Sequence, residues 1–341
     1  MKPIEDEWST DMLNCALGCF AVYLATGHTI YCKSIKASTL RLYLTAAAGL
    51  IQKIDPVPRN AMNDDTGKQF IGITRVLNEV RRIETVPDRK EGYTIAMQKH
   101  VSNRAQLSAP DALPRIMANW GAAALSGGFR RQEWCQKKGS GLLHNIQDCL
   151  YNRPRAFILG DVEFYRDGHI LLPTDKALKS VEEVAYVKLR YMWQKNKKHK
   201  QFRYYYRNDK KHFLCPVRAW IEIVKRFVRL VGFNDELPLA LYKNKKGETR
   251  LITADVVDNF IRATAEQVYE LKPEIARQKF STHSFRVGAC CILFATGYSP
   301  DFIKRILRWE SNCWRTYVRD LVCTAVQQVV AMNDCEKMPI F

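Results

Sequence analysis

Apolar residues return every three or four positions along most of this chain, and only between Ala156 and Trp193 does their spacing fall to two. A period near 3.6 lays one apolar stripe along a helix, whereas a period of two sends alternate side chains to opposite faces of a strand. The chain is therefore expected to be mainly α with a small antiparallel β-sheet. Helical spacing runs through Met12, Leu13, Ala16, Leu17, Phe20, Val22 and Tyr23. It resumes after Ser38, a residue suited to an N-cap, at Leu40, Tyr43, Leu44, Ala47, Ala48 and Ile51, and again from Phe70 to Ile83. The polar stretch 84–109 reads as a linker. Beyond it, Leu113–Leu125 is helical up to Gly127 and Gly128. Short period-two runs follow at Ala156–Leu159, Val162–Tyr165 and Ile170–Leu172, with the longest from Val184 to Trp193. Helices return at Pro216–Val231 and Thr253–Tyr269. Two more lie between His283 and Ile306, separated where Gly297 suits the residue after a helix, Ser299 an N-cap and Pro300 a first turn. This organisation predicts two domains, a helical one over 1–108 including the linker and a larger one over 109–341 that carries the sheet.

Charge narrows the class of partner. The 53 lysines and arginines outnumber 35 acidic residues, for a net charge of +18, while a hydrophobic share of 47% keeps the sequence within the folded range. Such a surplus points to a polyanion. No run approaches the roughly 20 apolar residues of a spanning helix, and the acidic start Met1–Glu7 is unlike a secretory signal, so no membrane association is expected. The cysteines number 11, an odd count, and are scattered, which suits reduced thiols. Cys15, Cys19, His28 and Cys32 have zinc-capable side chains, but Cys15 and Cys19 sit in an apolar helical run and read as buried thiols, so no metal is expected.

The densest charge follows the longest period-two run. Arg190, Lys195, Lys197, Lys198, Lys200, Arg203, Arg207, Lys210 and Lys211 alternate with Tyr191, Trp193, Phe202, Tyr204, Tyr205 and Tyr206. Cations interleaved with rings suit contact with a phosphate backbone. A solvated hairpin is the plainer alternative, and the overall charge favours phosphate. Further on, His283 and Arg286 stand three apart, a spacing that lets an imidazole and a guanidinium converge on one anion. Downstream, Leu307-Arg308-Trp309-Glu310-Ser311 precedes Trp314-Arg315-Thr316-Tyr317, and upstream lies Gly128-Phe129-Arg130-Arg131-Gln132-Glu133.

Taken in order, these pieces resemble the tyrosine recombinase family, also called phage-type integrases. The resemblance covers about Asp111 to Asp320 and is looser over the first hundred residues, where the family has a helical core-binding domain preceding its α+β catalytic domain. It implies catalytic roles for Arg130, supported by Glu133, for a hairpin lysine, best matched by Lys195, and for His283, Arg286, Trp309 and the nucleophile Tyr317. Arg131 directly follows Arg130, and the Arg-x-x-Glu register selects Arg130. Lys197, Lys198, Lys200, Arg203 and Arg207 are the expected DNA contacts. Trp309, the phrase Leu214-Cys215-Pro216-Val217-Arg218-Ala219 and the Arg308-Trp309-x-Ser311 run look most like the Crypton-type recombinases of eukaryotic mobile elements.

The chemistry needs those residue types. Attack on a phosphodiester loads negative charge on the non-bridging oxygens, which paired guanidiniums bind, and a phenol with a reference pKa of about 10 needs cations to become a nucleophile. What the resemblance implies is double-stranded DNA as partner, a homo-tetramer on that DNA, a 3′-phosphotyrosyl intermediate, and no metal, other cofactor or small-molecule substrate. It also implies a nuclear location if the source is eukaryotic, otherwise cytoplasm or nucleoid. A C-terminal helix over Leu321–Met332 is expected to dock on its own domain or on a neighbouring protomer. A DNA-binding protein that lost catalysis and a type IB topoisomerase share the residue types. The filled catalytic positions count against the first, and the short segment after Tyr317 with the helical N-terminal domain counts against the second.

Overall fold

Ser9 opens the first helix by accepting the Met12 N–H, and α1 then runs Thr10–Ala25. The computed structural model describes residues 9–28, 35–54, 60–64, 66–83, 89–137, 139, 141–144, 146, 149–150, 153–171, 180–194 and 199–318. They divide into two units, 1–88 and 89–341. In the first, α1 packs its stripe of Leu13, Leu17, Ala21 and Leu24 against Leu40, Leu44 and Ala48 of α2 (Ala37–Ile54) and Ile73, Leu77 and Val80 of α3 (Ile71–Ile83). Two expectations fail here. Ser38 lies inside α2 rather than before it. Cys15 and Cys19 are exposed, because both fall two positions from the stripe that Leu13 and Leu17 define; Cys32 lies outside the described residues.

The second unit begins within the stretch read as a linker. α4 (Ile95–Gln106) buries Met97, Gln98, Val101 and Ala105 against α5 (Leu113–Gly127), so the boundary falls at 88/89 and not at 108/109. Gln98 explains the misreading: its amide donates to the Ala118 and Phe213 carbonyls at 2.8 and 3.1 Å, which makes a polar residue part of the core. Then come α6 (Arg131–Trp134), a small pair of strands β1 (Cys149–Leu150) and β2 (Arg153–Pro154), and the main sheet. That sheet comprises β3 (Val162–Arg166), β4 (His169–Leu171), β5 (Tyr186–Tyr191) and β6 (Gln201–Tyr206), antiparallel in the order β4-β3-β5-β6. Val187, Leu189 and Tyr191 point into the core, as their period-two spacing requires. Ala156–Leu159 forms no strand: the Phe157 N–H goes to Glu133 and its carbonyl to Leu239, two single bonds to different segments rather than a ladder.

The rest is α7 (Pro216–Val231), a hairpin of β7 (Leu241–Lys243) and β8 (Thr249–Leu251), then α8 (Ala254–Tyr269), α9 (Pro273–Lys279), α10 (Ser284–Ala295) and α11 (Pro300–Leu307). Between α10 and α11 the expected signals hold: Gly297 has φ +82° and the Ser299 hydroxyl accepts the Phe302 N–H. The segment Leu321–Met332 lies outside the described residues. Among those described, no helix is long and apolar enough to cross a membrane.

Two glycines let the elements of the site approach. A Cβ on Gly288 would meet the Tyr93 carbonyl oxygen at 2.0 Å, and one on Gly128, which has φ +54°, would meet Leu307 Cδ2 at 2.4 Å. Beneath them lies an aromatic core in which Trp120 stacks on Trp134 at 5.1 Å and meets the edge of Trp220 at 5.4 Å. Trp120→Ala is expected to lower stability by about 3–5 kcal/mol, read as a drop in the urea midpoint without change in slope.

Candidate active site

Three chain turns converge on one cleft. The first follows α5, where left-handed Gly128 reverses the chain and buried Phe129 anchors it, leaving Arg130 at the cap of α6. Glu133 closes this turn: its Oε2 accepts the Arg130 N–H at 2.8 Å and its Oε1 accepts from the Arg130 guanidinium at 3.1 Å. Arg130 also donates to the Arg308 carbonyl at 3.2 Å. The second turn starts α10, with His283 just before the helix and Arg286 in its first turn. Arg286 is 2% exposed and donates to the Gly128 and Leu307 carbonyls, each at 2.6 Å. One guanidinium thus fastens the ends of α5 and α11 to α10. The third turn follows α11, where Trp309 lies 4.4 Å from the Arg286 guanidinium and a 3₁₀ turn over Asn312–Thr316 delivers Tyr317.

The Tyr317 hydroxyl stands 2.9 Å from His283 Nε2, and its ring lies 5.4 Å from that of His283 and 5.5 Å from that of Trp309. Arg130, His283, Arg286, Trp309 and Tyr317 line a single cleft of about 770 Å³. The family resemblance implied these five together, with Glu133 in support of Arg130. Lys195, Lys197 and Lys198 lie outside the described residues. Lys200 is exposed in the turn before β6. Arg203 donates to the Phe202 and Arg305 carbonyls at 2.7 and 3.3 Å, and Arg207 pairs with Asp209 at 2.8 Å, so these two guanidiniums hold protein atoms.

Residues that sequence reasoning had not selected also line the cleft, among them Arg155, His199 and Arg308. His199 accepts the Gln194 N–H on Nδ1 at 3.1 Å, which leaves the proton on Nε2. Its position one residue beyond the hairpin lysines was the available signal. Arg308 stood in the Arg308-Trp309-x-Ser311 run, but that run implied no role for its side chain.

The electrostatics suit an anion. Burial, then the like charges of Arg130 and Arg308, lower the pKa of Arg286. A bound anion would reverse that, because it favours the charged guanidinium. Partial desolvation of the His283 ring, then Arg286 and Arg130, push its pKa below the usual imidazole value. Neutral imidazole is therefore the form present at pH 7, and it can accept the phenolic proton. If that transfer limits the reaction, the rate rises with pH through a value below about 6.5 and is flat above it. Single-turnover rates between pH 4.5 and 8 check this, and His283→Gln should remove the acid limb.

No family model matches this chain, and no curated protein sequence matches it. Among solved structures, the XerH site-specific recombinase bound to palindromic difH substrate, a post-cleavage complex, aligns with a TM-score of 0.50 at 12% identity, over 94% of this chain and 72% of that one. The fold is that of the tyrosine recombinases. It combines the helical core-binding and α+β catalytic folds of that class, in agreement with the mainly α architecture and small antiparallel sheet expected from the sequence. The Tn1549 transposon integrase in complex with transposon right end DNA gives a TM-score of 0.48 at 14% identity, over 96% of this chain and 86% of that one. A lambda integrase dimer bound to a core site gives 0.42 at 14%, over 94% and 82%.

Proposed function

We propose that this chain is a site-specific DNA recombinase or integrase that breaks and rejoins strands through a 3′-phosphotyrosyl link at Tyr317. The observation that carries the reading is the Tyr317 hydroxyl 2.9 Å from His283 Nε2, in a cleft that also presents Arg130, Arg286 and Trp309. In the proposed step His283 takes the phenolic proton and the phenolic oxygen attacks phosphorus. The bond between phosphorus and the 5′-oxygen breaks, and the leaving oxygen takes a proton from an acid, the role proposed for Lys195. The link keeps the energy of the broken ester, so attack by a 5′-hydroxyl on it rejoins a strand. Arg130 and Arg286 hold the non-bridging oxygens, where charge accumulates, and Trp309 packs the Arg286 guanidinium in place.

Double-stranded DNA is the proposed partner, a reading supported by the charge of +18 and by the substrate-bound state of the XerH recombinase structure that shares the fold. A tetramer on DNA, service to a mobile element of the Crypton type and a nuclear location extend the proposal, and all three rest on sequence resemblance. The test is incubation with nicked duplexes and supercoiled plasmid in EDTA. A covalent adduct that maps to the Tyr317 peptide, together with strand exchange, is the expected result. Adduct with plasmid relaxation and no exchange would indicate a topoisomerase. DNA binding without adduct on any substrate, including the element's own termini, would indicate a binding protein.

A further inference from the structure

α11 ends in a conformation that favours glycine, yet the residue there is arginine. Arg308 has φ +59° and ψ +47°, the left-handed region that L side chains rarely adopt. Its side chain is also fully buried, with no exposed surface. A left-handed backbone and a desolvated cation both count against the folded state, and stopping a helix requires neither.

The contacts account for the residue. Arg308 Nη2 donates to Glu133 Oε2 at 2.8 Å and Nη1 to the Gly127 carbonyl at 2.9 Å, while the guanidinium lies 3.8 Å from the Tyr191 ring centre. Glu133 uses its other oxygen for the Arg130 guanidinium, and the Arg308 carbonyl takes a second Arg130 donor at 3.2 Å. Arg308 therefore reaches Arg130 by two routes, through the Glu133 carboxylate and through its own backbone. We propose that Arg308 is a positioning residue that aims the Arg130 guanidinium at the scissile phosphate, an inference that rests on the recombinase reading above. The same charge balances Glu133, which would otherwise hold Arg130 alone and could draw it away from the cleft.

The experiment measures the single-turnover rate of covalent adduct on a nicked duplex, the affinity for the same duplex and the melting temperature. It uses full-length wild type, Arg308→Gly, Arg308→Lys, Arg130→Ala and the double variant Arg130→Ala/Arg308→Gly. Arg308→Gly is expected to slow the step by about 100-fold, as small misplacements of a catalytic group do, with affinity within about threefold of wild type. Lysine keeps the charge but not the fork that spans Glu133 and Gly127, so Arg308→Lys should recover only part of the rate. The double variant separates positioning from general loosening: without Arg130, losing Arg308 should slow the step by less than about threefold further. A loss as large in that background as in wild type would overturn the proposal, as would an Arg308→Gly protein with an unchanged rate. Should Arg308→Gly fail to fold, Arg308→Lys carries the comparison, and a wild-type rate there overturns it too. Absence of adduct from wild type overturns the function and this role together, whereas adduct that the Arg308 variants leave unchanged overturns this role alone.

Discussion

Tyr317→Phe is expected to abolish covalent capture of DNA while leaving duplex affinity and melting temperature close to wild type. The substitution removes one oxygen and leaves the ring, which is half-buried against His283 and Trp309. Loss of the hydrogen bond to His283 at 2.9 Å costs about 0.5–1.5 kcal/mol at most, because both partners reach solvent in the cleft. The proposed nucleophile, by contrast, has no substitute at that position. Phenylalanine protein that still forms adduct would move the chemistry to another side chain and undo the assignment.

Arg286→Ala should be almost as damaging to the chemistry, and unlike the tyrosine variant it should also weaken the fold. Removing a preorganised donor from a transition-state site slows the step by about 10²–10³-fold. The side chain also satisfies two carbonyls, of Gly128 and Leu307, each at 2.6 Å. A buried polar group left without a partner costs about 1–3 kcal/mol, so both effects should be visible in one protein. Arg286→Lys separates them. A lysine ammonium is a point charge that reaches one carbonyl and cannot span both, so part of the stability returns while the rate stays low. Denaturant midpoints and single-turnover rates on the same three proteins decide the matter. A lysine variant with full activity would mean that charge alone, and not the fork, is what the site requires.

The parts of the site that sequence revealed are those whose residue types are rare and whose spacing is fixed by one turn of chain. His283 and Arg286 are brought together by a single helical turn, and Arg130 and Glu133 by one cap. Residues whose role depends on contacts across the fold were hidden. Arg308 matters because Glu133, 175 positions away in sequence, lies beside it. α4 was hidden for a related reason: Lys99, His100, Ser102, Asn103 and Arg104 outweigh its few apolar residues, and the partners of Gln98 come from distant segments. β6 carries Phe202, Tyr204 and Tyr206 on its exposed face and Arg203 beside Tyr205 on the other, so neither face reads as plainly polar or apolar. Local signals survive in a sequence, and non-local ones need the fold.

The segment 89–94 also sets where the second unit can be cut. It runs from the end of α9 onto the start of α10, with the Glu91 N–H on the Lys279 carbonyl and the Tyr93 N–H on that of Ser284, both at 2.8 Å, and Arg89 donates to the carbonyl of Thr316, the residue before Tyr317. Gly288 is bare so that Tyr93 can lie there. A truncated protein beginning at 109 would lose this strap and α4 together, opening a gutter along the helix that His283 precedes and that carries Arg286. A minimal catalytic fragment has to retain Arg89.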